Sequence, residues 1–268
     1  PDADHGAVVT GPWDADLGDA LAAGLLGPVP ADLAAFEAAF VAHVTAGAAD
    51  PDRAWDLFYD ATLARVGRDW GRQASGGGTV ATFTRIWARA AEAALGRTVL
   101  DVGTCFGFLP LAWTARAAAP RVLAAELSGP ATRLLARQAR RLALPVPVLH
   151  ADGARLPLRD RSVGTVLLLH VLEHVPGPVA ARLLAEALRV AEHRVVVAVP
   201  VEERPDPVFG HLEVFDADRL ARIGAGTGWH TGVEDGDGAW LVLDRPVPPV
   251  TCAAGRADRS GRRPRRGA

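Results

Sequence analysis

The spacing of apolar residues changes along the chain near residue 97. Before that point, apolar residues recur three or four positions apart over residues 31–49, 50–66 and 79–96, which is the spacing of one helix face. Asp50-Pro51 opens the second stretch with an N-cap residue and a first-turn proline. The first 97 residues are therefore predicted to be mainly helical.

From residue 98 onward, short apolar stretches alternate with helical ones. Such alternation predicts a parallel sheet, and helices on both faces explain why its strands are apolar throughout. The predicted strands cover residues 98–102, 121–126, 146–150, 162–170 and 194–200, and the predicted helices cover residues 109–118, 130–144 and 179–191.

The pattern after residue 218 predicts a different ending. A helical stretch at residues 218–226 precedes two apolar stretches, 229–234 and 239–245, which flank an Asp-Gly turn typical of a hairpin. The predicted fold class is α/β: a doubly wound, mainly parallel, seven-stranded Rossmann-like sheet with a C-terminal antiparallel hairpin and an N-terminal helical extension.

Composition and charge indicate a globular protein without a nucleic-acid partner. Apolar residues make up 49% and charged residues 22% of the chain, a balance that allows a buried core. The formal net charge of −2 leaves no basic surface outside the Arg-rich end. We divide the chain into a helical cap or substrate region at 1–97, an α/β domain at 98–246 and a disordered Pro/Arg-rich tail at 247–268.

Cysteine usage and the apolar stretches bear on the cellular compartment. Cys105 and Cys252 are far apart, so they suggest neither a disulfide framework nor a zinc site, and a reducing compartment fits best. Residues 1–11 lack the basic and apolar stretches of a signal peptide. The longest apolar stretches are roughly a third of the ~20 residues that a membrane helix needs. We expect a cytoplasmic protein without a membrane partner.

Residues 101–107 form a glycine-containing turn between the first predicted strand and a helix. Glycine lets the backbone approach a ligand closely, and the next helix can direct free N–H groups at anionic groups. The acid at Asp101 and the separation of Gly103 from Gly107 differ from the G-x-G-x-x-G turn of nicotinamide enzymes. A cofactor is expected here, and the alternative is a tight corner that binds no ligand.

The turn resembles the Asp-x-Gly-x-Gly-x-Gly motif of class I S-adenosylmethionine-dependent methyltransferases. One position departs, because Cys105 stands where that class usually has its middle glycine. The resemblance implies S-adenosylmethionine as the cofactor and residues 98–246 as the catalytic domain. The residues that it assigns to the cofactor are Asp101, Gly103, Thr104, Cys105 and Gly107.

Acidic residues after the next two predicted strands extend the predicted cofactor site. Glu126 ends the second strand, 19 residues after Gly107, where a carboxylate can accept hydrogen bonds from ribose hydroxyls. Leu127 is expected to pack on the adenine. Asp152-Gly153 resembles the adenine-contacting motif of the same class. The alternatives are a solvated loop acid at Glu126 and the N-cap of a short turn at Asp152.

The fourth predicted strand leads into His-Val-Leu-Glu-His-Val at residues 170–175. This segment resembles the LEHV signature of methyltransferases that act on oxygen or carbon atoms of small molecules. His170, Glu173 and His174 share a face if a helix begins here. We predict that all three belong to the active site, with His170 also beside the cofactor. Some methyltransferases with similar signatures bind a divalent cation through such residues, whereas a histidine–acid pair capping a helix is the alternative. The sequence leaves a metal open.

A polar loop at residues 201–213 follows the fifth predicted strand, at the sheet edge where open α/β folds place their substrates. The sulfonium of the implied cofactor already activates the methyl group, so alignment of the acceptor and removal of its proton remain. An imidazole is available as a base near neutral pH. We predict His211 in this role, with a structural or solvated histidine as the alternative.

The chain also resembles one narrower family, the mycofactocin oligosaccharide methyltransferases, from about residue 33 to residue 246. Cys105 agrees with this family. The resemblance implies O-methylation of a glucose hydroxyl on the mycofactocin oligosaccharide. It rests on Ala54-Trp55-Asp56-Leu57-Phe58-Tyr59, Thr104-Cys105-Phe106-Gly107-Phe108-Leu109-Pro110, Gly210-His211, Phe215-Asp216 and Gly238-Ala239-Trp240-Leu241-Val242-Leu243-Asp244-Arg245-Pro246.

Three other functions remain possible at this point. One is S-adenosylmethionine-dependent O- or C-methylation of another small molecule. The second is a protein that binds the same cofactor without catalysis, which the presence of Asp101, Glu126 and Asp152 argues against. The third is a nicotinamide-dependent enzyme, which the glycine spacing and the C-terminal hairpin argue against. The sequence does not indicate an oligomeric state.

Overall fold

A computed structural model describes residues 13–72 and 77–246 of the 268-residue chain. Its helices are α1 (Leu17–Ala22), α2 (Leu33–Thr45), α3 (Pro51–Asp69), α4 (Thr79–Ala93), α5 (Phe108–Thr114), α6 (Gly129–Arg141), α7 (Gly177–Val190) and α8 (Ala217–Ala225). Its strands are β1 (Thr98–Val102), β2 (Arg121–Glu126), β3 (Val148–His150), β4 (Val163–Leu169), β5 (Ala191–Val199), β6 (His230–Gly236) and β7 (Gly238–Asp244). A short 3-10 helix, Leu172–His174, follows β4.

The seven strands form one sheet in the order β3-β2-β1-β4-β5-β7-β6. Strands β1 to β5 run parallel to one another, whereas β7 runs antiparallel to both β5 and β6. The C-terminal hairpin thus closes an otherwise parallel sheet. The predicted fold class is confirmed, because the order reverses direction on either side of β1 as a doubly wound sheet requires.

Alternate residues of the central strands supply two apolar cores. Leu100, Val166 and Leu168 belong to the core that includes α7 residues, whereas Val99 and Leu167 belong to the core that includes α4 and α5 residues. Successive side chains of a strand point to opposite faces of the sheet. Both faces are therefore covered, which accounts for the apolar stretches of the central strands.

The N-terminal helices pack on the same sheet. Arg85 of α4 holds the tip of the β6–β7 hairpin through two hydrogen bonds to the Asp237 carboxylate, at 2.9 and 2.8 Å. Asp50 caps α3 as predicted, by accepting a hydrogen bond from the N–H of Asp52. The N-terminal helices are therefore attached to the sheet through the contact between α4 and the β6–β7 hairpin.

Helix α1 is the element that the apolar spacing did not predict, because six residues are too few to show a period. Its position lets two acidic side chains cap the start of α4. Asp16 and Asp19 accept hydrogen bonds from the N–H groups of Val80 and Thr79, at 2.7 and 2.6 Å, and so satisfy the first turn of α4.

Several predictions lie outside the described residues. They concern residues 1–11, the tail at 247–268 and Cys252. Within residues 13–72 and 77–246, no helix has the length and apolar character needed to cross a bilayer.

Candidate active site

The carboxyl ends of β2, β1, β4 and β5 lie side by side at one edge of the sheet. The glycine turn follows β1, Glu126 ends β2, the His170 to Val175 segment follows β4, and the loop with His211 follows β5. Parallel strands thus bring these separate sequence segments to one edge, which is where open α/β sheets bind their ligands.

Asp101 is the next-to-last residue of β1, and its carboxyl group is buried. It is 4% exposed and accepts a hydrogen bond from the Thr104 hydroxyl at 2.6 Å. Burial raises the pKa of Asp101 from 3.8 to about 7, with a smaller contribution in the same direction from the Glu126 charge, while the Thr104 bond acts against it. The acid before the glycine turn is therefore largely neutral below neutral pH.

The glycine turn is held to β2 by its own N–H groups. Those of Gly103 and Thr104 both donate to the carbonyl of Ala125, at 2.9 and 3.2 Å. The N–H of Cys105 donates to Glu126 at 2.8 Å. These three N–H groups shape the turn and are not free for an anionic ligand.

Glu126 joins the glycine turn to the turn after β2. Its Oε2 accepts from the N–H of Cys105 and its Oε1 accepts from the N–H of Ser128, each at 2.8 Å. Each carboxylate oxygen has a second lone pair. The side chain is therefore oriented by the backbone and still able to accept hydrogen bonds from two adjacent hydroxyls.

Cys105 adopts the left-handed backbone conformation, with φ at 52°. This conformation favours glycine and is uncommon for other residues. It explains why the broad class places glycine here, and it shows that the cysteine keeps the same turn. The residue is exposed at the rim of the predicted cofactor site.

The predicted adenine contacts lie next to Glu126. Leu127 is 67% exposed beyond the end of β2, so its side chain is accessible to a ligand beside Glu126. Asp152 accepts a hydrogen bond from the N–H of Ala154 at 2.8 Å, so it does cap a short turn. Its neighbour Gly153 has no room for a side chain, since an added Cβ would lie 2.6 Å from Val102.

Aromatic residues of the N-terminal helices hold the glycine turn from the other side. The ring of Phe106 packs against Phe40 and Trp55, with both centroid distances at 5.6 Å. The hydroxyl of the fully buried Tyr59 donates to the carbonyl of Phe106 at 2.7 Å. Helices α2 and α3 thus form one wall of the predicted cofactor site.

The segment after β4 does not form the single helix face expected for His170, Glu173 and His174. His170 precedes the 3-10 helix in a left-handed conformation, with φ at 54°, and its ring packs on Phe83 at 4.9 Å. Its Nδ1 lies 3.2 Å from Oε1 of Glu173. His170 therefore lies between Glu173 and Phe83, and it does not share a helix face with Glu173 and His174.

Glu173 is fully buried beneath the loop that follows β5. Its backbone carbonyl accepts hydrogen bonds from the N–H groups of Leu212 and Glu213, at 2.7 and 3.2 Å. These bonds place His211 beside the end of β4. The glycine turn is also close, because an added Cβ at Gly103 would lie 2.8 Å from the Val171 side chain.

His211 faces His174, with ring centroids 4.9 Å apart. Its Nδ1 lies 2.8 and 3.0 Å from the two carboxylate oxygens of Glu202, so Nδ1 carries the proton when Glu202 is ionised and Nε2 is left free. The pKa of His174 is lowered, first by loss of water around its ring, and the Glu173 charge acts against this. A neutral imidazole is favoured at His174.

The sequence did not indicate two of these partners. Glu202 is nine positions from His211 in a loop without regular structure, and only the folded path of the loop brings them together. Tyr59 lies at helical spacing among core residues, and nothing in that spacing distinguishes its hydroxyl bond to the glycine turn.

Residues 100–199 match a family model described as "Methyltransferase domain". An uncharacterized methyltransferase of Mycobacterium sp. (strain KMS) is 38% identical over 120 residues, which make up 42% of this chain and 42% of that protein. The chain therefore aligns with less than half the length of this curated relative.

Two solved structures share the fold at low sequence identity. Magnesium protoporphyrin IX methyltransferase (ChlM) from Synechocystis PCC 6803, with bound SAH, has a TM-score of 0.51 at 16% identity and covers 74% of this chain and 100% of its own. The [4+2]-cyclase SpnF has a TM-score of 0.55 at 17% identity and covers 70% of this chain and 93% of its own. These similarities confirm the Rossmann-like fold.

Proposed function

We propose that this chain is an S-adenosylmethionine-dependent methyltransferase that acts on a hydroxyl group. The observation that carries the proposal is the direct connection between Glu126 and the glycine turn at Cys105, inside the segment that matches the methyltransferase family model. The mycobacterial relative named a methyltransferase and the SAH-bound structural neighbour support the same cofactor and reaction class.

In this proposal, the carboxyl ends of β1, β2 and β3 would hold the cofactor. Glu126 would accept hydrogen bonds from the two ribose hydroxyls, Leu127 would cover the adenine, and Asp152 would accept from the exocyclic amine. The glycine turn from Gly103 to Gly107, together with Asp101, would bind the methionine portion.

The acceptor lies on the other side, above the ends of β4 and β5. When bound, the cofactor would supply an activated methyl group to the acceptor oxygen, and its sulfur would keep the electron pair of the broken carbon–sulfur bond to give S-adenosylhomocysteine. The hydroxyl proton must leave in this step. We assign its removal to the cluster of Glu173, His174 and His211, with His170 and Glu202 holding it in place.

The finer proposal is that the acceptor is a sugar hydroxyl, on a glucose of the mycofactocin oligosaccharide. The resemblance of the glycine turn and the C-terminal strand to that family supports it. Phe209 adds a physical reason, because its ring lies between Phe36 and His211, with centroid distances of 5.5 and 6.1 Å. An aromatic face beside the reacting hydroxyl suits the apolar face of a sugar ring.

The experiment that tests this function is incubation of the full chain with methyl-labelled S-adenosylmethionine and glucose oligosaccharides, followed by mass spectrometry. The expected product carries one labelled methyl group per S-adenosylhomocysteine formed. Transfer to a different small molecule would contradict a sugar acceptor and would still support methyl transfer. Cofactor binding without transfer to any acceptor, in parallel with unchanged metabolites in a host lacking the protein, would contradict methyl transfer.

A non-catalytic or different use of the cofactor is the second candidate. The structural neighbour named a [4+2]-cyclase supports it, because this fold also occurs in a protein named for a different reaction. His211→Gln separates the candidates. A methyltransferase loses turnover and keeps cofactor affinity, whereas a binding protein has no turnover to lose. His230→Gln, at an exposed position on β6, is the matched control.

A further inference from the structure

The side chain of Glu173 lacks the partner that a buried carboxylate needs. It is fully buried, and within the described part of the chain neither of its oxygens has a hydrogen-bond partner. The contact with Nδ1 of His170, at 3.2 Å, is ionic only when that imidazole is protonated. A buried carboxyl group whose oxygens have lost water without a replacement partner is unfavourable, so a cation beside Glu173 would supply the partner that the fold lacks.

Two imidazoles stand where such a cation would bind. One donor atom from each of Glu173, His174 and His211 can be chosen so that all three lie within 4.8 Å of one another. Zn–N and Zn–O bonds of about 2.0–2.2 Å place the donors of a tetrahedral site roughly 3.3–3.6 Å apart. The two histidines are less buried than Glu173 and are the side chains that can close this gap.

Glu202 prepares His211 for this role. Because the Glu202 carboxylate binds Nδ1, the Nε2 atom of His211 is left as the free donor. A carboxylate on the far nitrogen of a metal-binding histidine sets its tautomer and orientation, and it is a recurrent feature of protein zinc sites. The loop is also held on Glu173 itself, through the N–H of Leu212.

We propose that Glu173, His174 and His211 bind one divalent transition-metal ion, with zinc as the first candidate. Two imidazoles and one carboxylate suit zinc, whereas magnesium and calcium prefer oxygen ligands. Three protein ligands leave a fourth position open. Catalytic zinc sites use such a position for water or substrate.

The role of the ion rests on the proposed function. The open position takes the acceptor hydroxyl, and the ion lowers the pKa of that hydroxyl so that its proton passes to solvent before methyl transfer. In this refinement the cluster promotes removal of the proton through the ion that it binds, so His211 is a metal ligand and solvent is the proton acceptor. Metal binding can be measured without cofactor or acceptor, so it stands or fails independently of methyl transfer.

The test is a zinc titration of the tag-free, chelator-treated full chain, followed by calorimetry and by thermal melting with and without Zn²⁺. Wild-type protein is expected to bind one equivalent and to melt at higher temperature with zinc. Glu173→Gln removes the buried charge with little change in shape and is expected to lower zinc affinity at least about 100-fold. Glu202→Gln is expected to lower it roughly 10- to 100-fold, because it removes the orienting carboxylate.

Two controls make the result decisive. His230→Gln is expected to bind zinc like wild type, and circular dichroism checks that each variant folds. If Glu173→Gln fails to fold, His211→Gln, on the loop, provides the same comparison. Absence of stoichiometric zinc binding in wild type would overturn the proposal, and so would affinity unchanged in both Glu173→Gln and His211→Gln. Zinc binding without methyl transfer to any acceptor would leave this site intact and contradict the proposed function.

Discussion

Glu126 accepts a hydrogen bond from the N–H of Cys105 at 2.8 Å, so the end of β2 fixes the turn after β1. In the proposed function, the same carboxylate also holds the cofactor ribose. Both tasks depend on its charge, because hydrogen bonds to ionised groups are worth about 1.5–3 kcal/mol.

Glu126→Gln is therefore expected to weaken S-adenosylmethionine binding about 10- to 100-fold, by calorimetry, with a small loss of stability. The matched control is Glu192→Gln on β5, an exposed acid whose contact is with the neighbouring His193. Equal affinities of the two variants for S-adenosylmethionine would show that Glu126 does not bind the cofactor.

The left-handed conformation of Cys105 predicts which residues the glycine turn tolerates. Cys105→Gly keeps the conformation without strain, whereas Cys105→Val places a β-branched side chain where it is strongly disfavoured. In urea denaturation, the free energy of unfolding of the valine variant is expected to be about 1–2 kcal/mol lower than that of the glycine variant. Valine as stable as glycine would indicate that the turn does not hold this backbone conformation.

Asp101 predicts a dependence of stability on pH. Its pKa is about 7 in the folded protein and 3.8 as the ordinary value, so the folded state holds a proton that the unfolded chain releases. The stabilisation is complete below the lower value and is lost as pH rises through about 7, by at most about 1.4 kcal/mol per pH unit.

Asp101→Asn removes this titration and can keep the Thr104 bond through its amide oxygen. The free energy of unfolding is to be measured for both proteins at roughly pH 5 and pH 8. The free energy of unfolding of Asp101→Asn is expected to increase relative to that of wild type as pH rises. A difference that stays constant, or that changes in the opposite direction, would contradict the raised pKa.

Tyr59→Phe tests the wall formed by the N-terminal helices. It removes a fully buried hydroxyl and leaves the carbonyl of Phe106 without its partner, so a loss of about 1–3 kcal/mol in stability is expected together with weaker cofactor binding. Thr45→Val removes an exposed hydroxyl bond to the Val41 carbonyl and serves as the control. Unchanged cofactor affinity in Tyr59→Phe would show that these helices do not contribute to the cofactor site.

The elements that the sequence predicted are those whose signal is local. Strand β4 is mainly apolar and buried at every position because both its faces are covered, and the Asp-Gly turn at Asp237 marks the hairpin. Helix α1 escaped prediction because six residues show no period. The pairing of Glu202 with His211 depends on a loop path that the carbonyl of Glu173 holds in place, and no local pattern records such a bond.

The candidate site divides in the same way. Asp101 and Glu126 lie at strand ends, so the alternation of strands and helices was enough to bring them to one edge. The expected grouping of His170 with Glu173 and His174 assumed one helix that begins at His170, whereas the 3-10 helix begins at Leu172. The left-handed turn at His170 directs its ring to Phe83, and His211 takes the place beside His174.

Calorimetric titration of the full chain with S-adenosylmethionine, and separately with NADH, distinguishes a methyltransferase cofactor site from a nicotinamide site. We expect saturable binding of one S-adenosylmethionine per chain, weakened in Glu126→Gln and unchanged in Glu192→Gln, with no heat from NADH. Binding of NADH without binding of S-adenosylmethionine would contradict this expectation.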